Sequence, residues 1–164
     1  MDKLGFKGEF TIRVRDAKTG EVLHEIKKSN LVCVGARSAV IKLISQQTLP
    51  DDYSYNKIWA IYSGTGTTPP TTLDTALESA AFKKACDQPF TVNLSSGWVE
   101  VQMTMESGDG NGYVYTEMGL FSRGSNDDPT LASGAFMYAR QIHGAIEKTS
   151  SLSIEYTWRF QVTV

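Results

Sequence analysis

The chain has 164 residues, 41% hydrophobic and 21% charged, which is typical of one globular domain able to bury about 70% of its unfolded surface. Sixteen basic and eighteen acidic side chains give a formal charge of −2, which excludes a strongly basic nucleic-acid-binding protein. No apolar run approaches the roughly 20 residues of a membrane span, and the charged first residues lack an apolar signal region. We therefore expect a chain that is made and kept in the cytosol.

The first third of the sequence predicts a hairpin followed by a helix. Residues 9–15 alternate between polar and apolar side chains, residues 16–20 are typical of a turn, and residues 21–27 form the returning strand. The period then changes to that of a helix over 35–47. The residues that follow helical spacing there are Ala36, Val40, Leu43, Ile44 and Gln47.

The remainder of the sequence predicts strands separated by turns. The apolar strand 57–63 leads into 64–72, a Gly-, Thr- and Pro-rich loop whose consecutive prolines favour extended backbone. Residues 152–164 alternate strictly, as a strand with one buried face requires. Further strands are predicted over 83–94, where the strand is broken near Pro89, and over 98–106, 113–122 and 130–140. About eight strands predict a mainly β fold, an antiparallel, jelly-roll-like β-sandwich with one covering helix, in a single domain over 1–164.

Residues that carry enzyme chemistry are scarce or wrongly spaced. His24, expected in a strand, and His143, expected in a loop, have no second histidine or cysteine at a metal-ligand spacing. The GxSxG motif of serine hydrolases is absent from the sequence. Gly64-Thr65-Gly66 is followed neither by the GK(S/T) ending of a P-loop nor by the third glycine of a dinucleotide-binding loop. The oxygen-rich segment 106–111 does not have the spacing of a calcium loop, so a hairpin turn is favoured. We predict no catalytic residue, no metal and no cofactor.

The cysteine and aromatic side chains leave a binding role open. Cys33 and Cys86 lie far apart in apolar surroundings and are predicted to be buried free thiols. Trp59, Trp98 and Trp158 all fall on predicted strands, where core packing is the favoured interpretation. An exposed aromatic cluster would instead bind sugars or stack on bases.

Four segments, taken in order, form a pattern of their own. They are NLVCVGAR (30–37), IYSGTGTTPP running into LDTAL (61–77), EMGLF (117–121), and LASGAF leading through EKT into LSIEYTW (131–158). Their order and spacing resemble a group of bacteriophage virion proteins that includes tail-collar fibre proteins and related tail, neck or head-decorating components. The resemblance extends over roughly residues 30–164.

The resemblance implies a non-enzymatic virion structural protein, assembled in the host cytoplasm, that joins tail, neck or fibre components in several copies. Its partners would be other virion proteins and further copies of itself, in a homo-oligomer, without nucleic acid or membrane. One alternative is a capsid decoration, or cement, protein. Another is a carbohydrate-binding β-sandwich module outside a virus.

Two segments are predicted to contribute contacts between subunits, because neither has an obvious partner within one sandwich. One is the N-terminal stretch 1–8, interpreted as an extended arm that carries Phe6. The other is the Gly/Thr/Pro loop, whose predicted contact residues are Gly64, Thr65, Gly66, Thr67, Thr68, Pro69 and Pro70.

Overall fold

The computed structural model describes residues 5–45, 57–122 and 136–163. Within them lie ten strands and one helix, which in chain order are β1 (Gly5–Asp16), β2 (Val22–Ser29), β3 (Leu31–Val32), α1 (Val34–Ser45), β4 (Ile58–Gly64), β5 (Ala80–Ala85), β6 (Thr91–Asn93), β7 (Trp98–Met105), β8 (Val114–Ser122), β9 (Met137–Glu147) and β10 (Leu152–Thr163). Parts of four predictions lie outside the described residues: 1–4 of the arm, 46–47 of the helix, 130–135 of a strand and 164 of the last strand.

The strands form two antiparallel sheets of five strands each. Sheet A has the order β2-β1-β10-β7-β6, and sheet B has the order β3-β9-β8-β4-β5. The predicted antiparallel β-sandwich with one helix is confirmed. The described residues contain two more strands than the predicted eight: the two-residue β3 is too short to produce an alternating pattern, and the predicted strand 83–94 is divided between β5 and β6, which lie in different sheets.

The two longest strands of sheet A were both predicted from alternation. β1 pairs with β10 over twelve residues, from Gly5↔Thr163 to Asp16↔Leu152, and with β2 as the predicted hairpin. Gly20, with φ of 72°, supplies the left-handed residue of the hairpin turn. β10 is the central strand of sheet A. Its alternate residues are fully or almost fully buried in the core: Ile154, Tyr156, Trp158 and Phe160.

The core lies between the two sheets. Sheet A contributes Phe10, Val101 and Met103 among others, and sheet B contributes Ile61 and Leu120 on the facing side. The helix, predicted over 35–47, runs from Val34 to Ser45 and packs against this core through its alanines Ala36 and Ala39.

Two local predictions are wrong. Residues 5–8 belong to β1 and pair with Phe160 to Thr163, so this part of the predicted arm is a regular strand. His143 lies in β9, which continues to Glu147, and not in a loop. The apolar and polar residues around His143 do not alternate because β8 and β9 change register between Tyr115 and Glu117.

Candidate functional site

The segment between β4 and β5, residues 65–79, lies across the outer face of sheet B. Beneath it Tyr62 and Phe121 stack with ring centroids 4.2 Å apart, and Leu77 packs against the same small apolar cluster. The outer face of sheet B is therefore covered by the chain itself. Four charged residues hold the segment in place, and we call them the loop clasp: Asp74, Glu78, Glu117 and Arg140.

Glu117 is the centre of the loop clasp. It lies on β8 and is completely buried, which is a costly position for a carboxylate unless it is paired and hydrogen-bonded. Its Oε1 accepts hydrogen bonds from the backbone N–H of Gly66 at 3.1 Å and of Ser79 at 2.7 Å, and its Oε2 accepts one from the N–H of Glu78 at 3.2 Å. One side chain thus binds both ends of the segment to the sheet.

Arg140, on the neighbouring strand β9, neutralises the buried carboxylate. Its Nε donates to Glu117 Oε2 at 3.0 Å, its Nη1 donates to Asp74 Oδ2 at 2.7 Å, and its Nη2 lies 2.9 Å from Glu117 Oε2. Glu78 is a more distant partner, 3.8 Å from Nη2. Burial lowers the pKa of Arg140, but the hydrogen bonds and charges of Asp74 and Glu117 outweigh it, so that the pKa lies above its usual value.

The two outer carboxylates fold the Gly/Thr/Pro stretch. Asp74 accepts from the N–H of Thr71 at 3.0 Å and from its hydroxyl at 2.6 Å. Burial raises the pKa of Asp74, but these bonds and Arg140 hold it below its usual value. Glu78 accepts from the N–H groups of Thr67 at 2.8 Å and Thr68 at 2.7 Å, and the bonds from Thr68 are the main cause of its lowered pKa.

These contacts correct the basis of one prediction. The loop was expected to lack a partner within the sandwich, yet Gly64 belongs to β4, the N–H of Thr65 donates to Ser79, and Gly66 is bound by Glu117. Gly66 is buried so closely that a Cβ there would lie 2.5 Å from Glu117 Oε1. Contacts between subunits through the loop remain a prediction, for which its exposed residues are available: Thr67, Thr68 and Pro69.

Phe6, the predicted contact residue of the N-terminal stretch, has a partner within the chain. Its ring packs on that of Phe160, with the centroids 5.5 Å apart.

The side chains most often used as nucleophile or base are placed unfavourably for catalysis. Burial raises the pKa of Cys33 to about 11 and that of Cys86 to about 12, so both remain thiols. His143 is buried, its Nδ1 lies 2.7 Å from the carbonyl oxygen of Gly144, and burial holds its pKa below the usual value. His24 is exposed in β2. Across residues 5–45, 57–122 and 136–163, no group of three or more His, Cys, Asp or Glu side chains is arranged to hold a metal.

The oxygen-rich segment at 106–111 is a turn between β7 and β8 whose oxygens are bound by lysines. Asp109 accepts from Lys84 Nζ at 2.9 Å and from the N–H of Glu106 at 3.0 Å. Asn111 Oδ1 accepts from Nζ of Lys148, a fully buried lysine whose pKa is lowered by burial. Lys84 therefore balances the charge of Asp109 within the chain, and Lys148 supplies a hydrogen-bond donor to the same turn.

Glu117, Arg140 and Lys148 are the important residues to which sequence analysis assigned no role. A signal for the first two exists in the sequence, because each is an isolated charge inside an otherwise apolar strand segment. Lys148 gives no such signal, since it stands in a turn between polar neighbours.

Comparisons of the chain with protein-family models, with curated proteins and with solved structures find no match. In the part of the chain that the structure describes, no helix is long and apolar enough to cross a membrane.

Proposed function

We propose that this chain is a non-enzymatic structural protein of a bacteriophage virion, present in several copies as a tail or neck adaptor or as a fibre anchor. The proposal is supported by the structural role of the segments that resemble virion proteins. The 61–77 segment forms β4 and the clasped loop, and Glu117 of the 117–121 segment binds that loop to sheet B. Glu117, a residue of this pattern, thus holds backbone in place, as expected of a structural protein.

The other two segments are used in the same way. The first, at 30–37, forms β3 and the start of α1, where the chain passes from sheet A to sheet B. In the last, Lys148 binds the turn at 106–112 through Asn111, and 152–158 is the first half of β10. Residues with these contacts keep the shape of a building block, which is the role proposed for the chain.

The surface of the clasped loop offers contacts to neighbouring copies or proteins. Leu73 is 76% exposed and borders a cleft of about 460 Å³ that is also lined by Phe6, Val32 and Arg37. An apolar side chain held outward by a rigid loop is suited to subunit contact, since little conformational entropy is lost on association. Leu73→Asp should therefore weaken assembly. Leu23→Asp, at a 55% exposed position of β2, is the matched control.

The proposal is tested by immunogold labelling of phage particles that carry this gene, with an antibody raised against the chain. Label at the neck, the tail or the fibre bases supports an adaptor or anchor. Label over the head would make the protein a capsid decoration protein instead. If mass spectrometry finds no copy in purified particles, the virion function is refuted.

A further inference from the structure

The outer face of sheet A carries a trough at the end where β10 finishes. It has a volume of about 580 Å³, within the range of small-ligand sites, and crosses four neighbouring strands. Arg159 and Gln161, on either side of the buried Phe160, point outward into this region, because successive residues of a strand face opposite sides of the sheet. The trough residues used below are Lys7, Glu9, Ser29, Trp98, Arg159 and Gln161.

Trp98 supplies the trough with a half-buried aromatic ring; Arg159 covers one face of the ring, so a ligand would pack on the opposite face. The guanidinium of Arg159 lies 4.4 Å from its ring centroid, in a cation–π contact. Arg159 is held in turn by Glu100, with Nη2–Oε2 at 2.8 Å, and by Glu9, with Nη1–Oε1 at 3.4 Å. The indole is therefore oriented before any ligand arrives, and little entropy is lost in ordering it on binding.

The polar groups of the trough include both donors and acceptors. Gln161 is oriented by a hydrogen bond from its Nε2 to the carbonyl oxygen of Ser96 at 2.9 Å. Lys7 adds a donor, Glu9 adds an acceptor, and the hydroxyl of Ser29 can do either. Sugar hydroxyls also donate and accept, whereas the C–H face of a sugar ring packs on an aromatic surface.

We propose that this trough binds a neutral oligosaccharide. Of its two lining cations, Lys7 and Arg159, the second is offset by acids, since it is paired with Glu100 and Glu9; Glu9 also lies 3.9 Å from Lys27 Nζ. A single-stranded nucleic acid needs a cationic groove beside its aromatic surface, and the near balance of charge here favours an uncharged ligand. The inference goes beyond the proposed function and does not depend on it.

The test is isothermal titration calorimetry of the full chain with maltohexaose, cellohexaose, chitohexaose and mannohexaose. Saturable binding of at least one is expected. Trp98→Ala should weaken it by roughly tenfold or more, equivalent to about 1.4 kcal/mol. Tyr113→Ala is the matched control, because Tyr113 is 45% exposed but lies near the turn that precedes β10, at the opposite end of that strand. It should bind as the wild type does.

Two results would overturn the proposal. One is no saturable heat with any of the four sugars at millimolar concentration. The other is binding that persists unchanged in Trp98→Ala, which would place the site elsewhere. If Trp98→Ala does not fold, as judged by its melting curve, the double variant Lys7→Ala with Gln161→Ala gives the same readout. Neither result bears on the virion proposal, which is decided by labelling of particles.

Discussion

Replacing Glu117 with alanine would leave four groups without their acceptor: the backbone N–H groups of Gly66, Glu78 and Ser79, and the Nε–H of Arg140. Removing one member of a buried ion pair costs about 3–5 kcal/mol; here Asp74, 2.7 Å from Arg140, still compensates part of the remaining charge, while the buried N–H of Gly66 also loses its acceptor. The exposed positions of Glu78 and Ser79 allow water to reach their N–H groups, so we add no further penalty for them. We expect Glu117→Ala to lower the free energy of unfolding by about 3–5 kcal/mol.

The measurement is urea unfolding followed by tryptophan fluorescence, since Trp158 is fully buried in the core. With an m-value of about 2 kcal/mol/M, the midpoint should fall by about 2 M. Glu25→Ala is the matched control. Its ion pair with Arg13 is 2.6 Å long, but the Glu25 side chain is 48% exposed, so its loss should cost less than about 1 kcal/mol.

A double variant examines the physical reason directly. Because Arg140→Met removes the charge whose fully buried partner is lost in Glu117→Ala, the two together should destabilise the protein by less than the sum of the single variants. The reasoning is refuted if Glu117→Ala costs no more than Glu25→Ala. Strict additivity in the double variant would refute the coupling between the two side chains.

Three further predictions concern the core, the loop and the response to acid. Trp158→Ala should cost about 3–5 kcal/mol in urea unfolding, because it creates a cavity at a fully buried site. Gly66→Ala should lower the melting temperature, since its Cβ would collide with Glu117, whereas Gly108→Ala, with no atom within 4 Å of the added Cβ, should melt like the wild type. The pKa of His143 lies below its usual 6.5 in the folded state, so the unfolded chain binds more protons and stability should fall as the pH drops from about 6.5. His143→Gln should lose this slope between pH 7.5 and 5.5, and an equal slope in the variant would contradict the assignment.

The elements of sheet A could be predicted because one of its faces is in water. In β10 the polar side chains Glu155 and Arg159 form ion pairs on the outer face while Tyr156 and Trp158 are buried, so the sequence alternates. A hairpin and a long terminal strand follow directly from that pattern.

Sheet B gives a weaker signal because both of its faces are covered. In β8 every residue from Met118 to Phe121 is buried, so side-chain polarity does not distinguish its two faces. The loop clasp could not be predicted for the same reason: a charge in such a strand needs a specific partner, and Arg140 is 23 residues from Glu117 in the chain. The turns and the loop composition identified the segment, but only the structure shows where it lies.

The position of β10 has a consequence for how the protein folds. This strand is the last of the described strands in chain order, yet it lies between β1 and β7 in sheet A and joins them. Residues such as Arg15 and Glu155, which form an ion pair, are 140 positions apart. During synthesis the two halves of sheet A stay separate until β10 has left the ribosome. Until then β1 and β7 lack the backbone hydrogen bonds that they form with β10. Such distant pairing predicts slow folding, in milliseconds to seconds, and a nascent chain that depends on protection from aggregation.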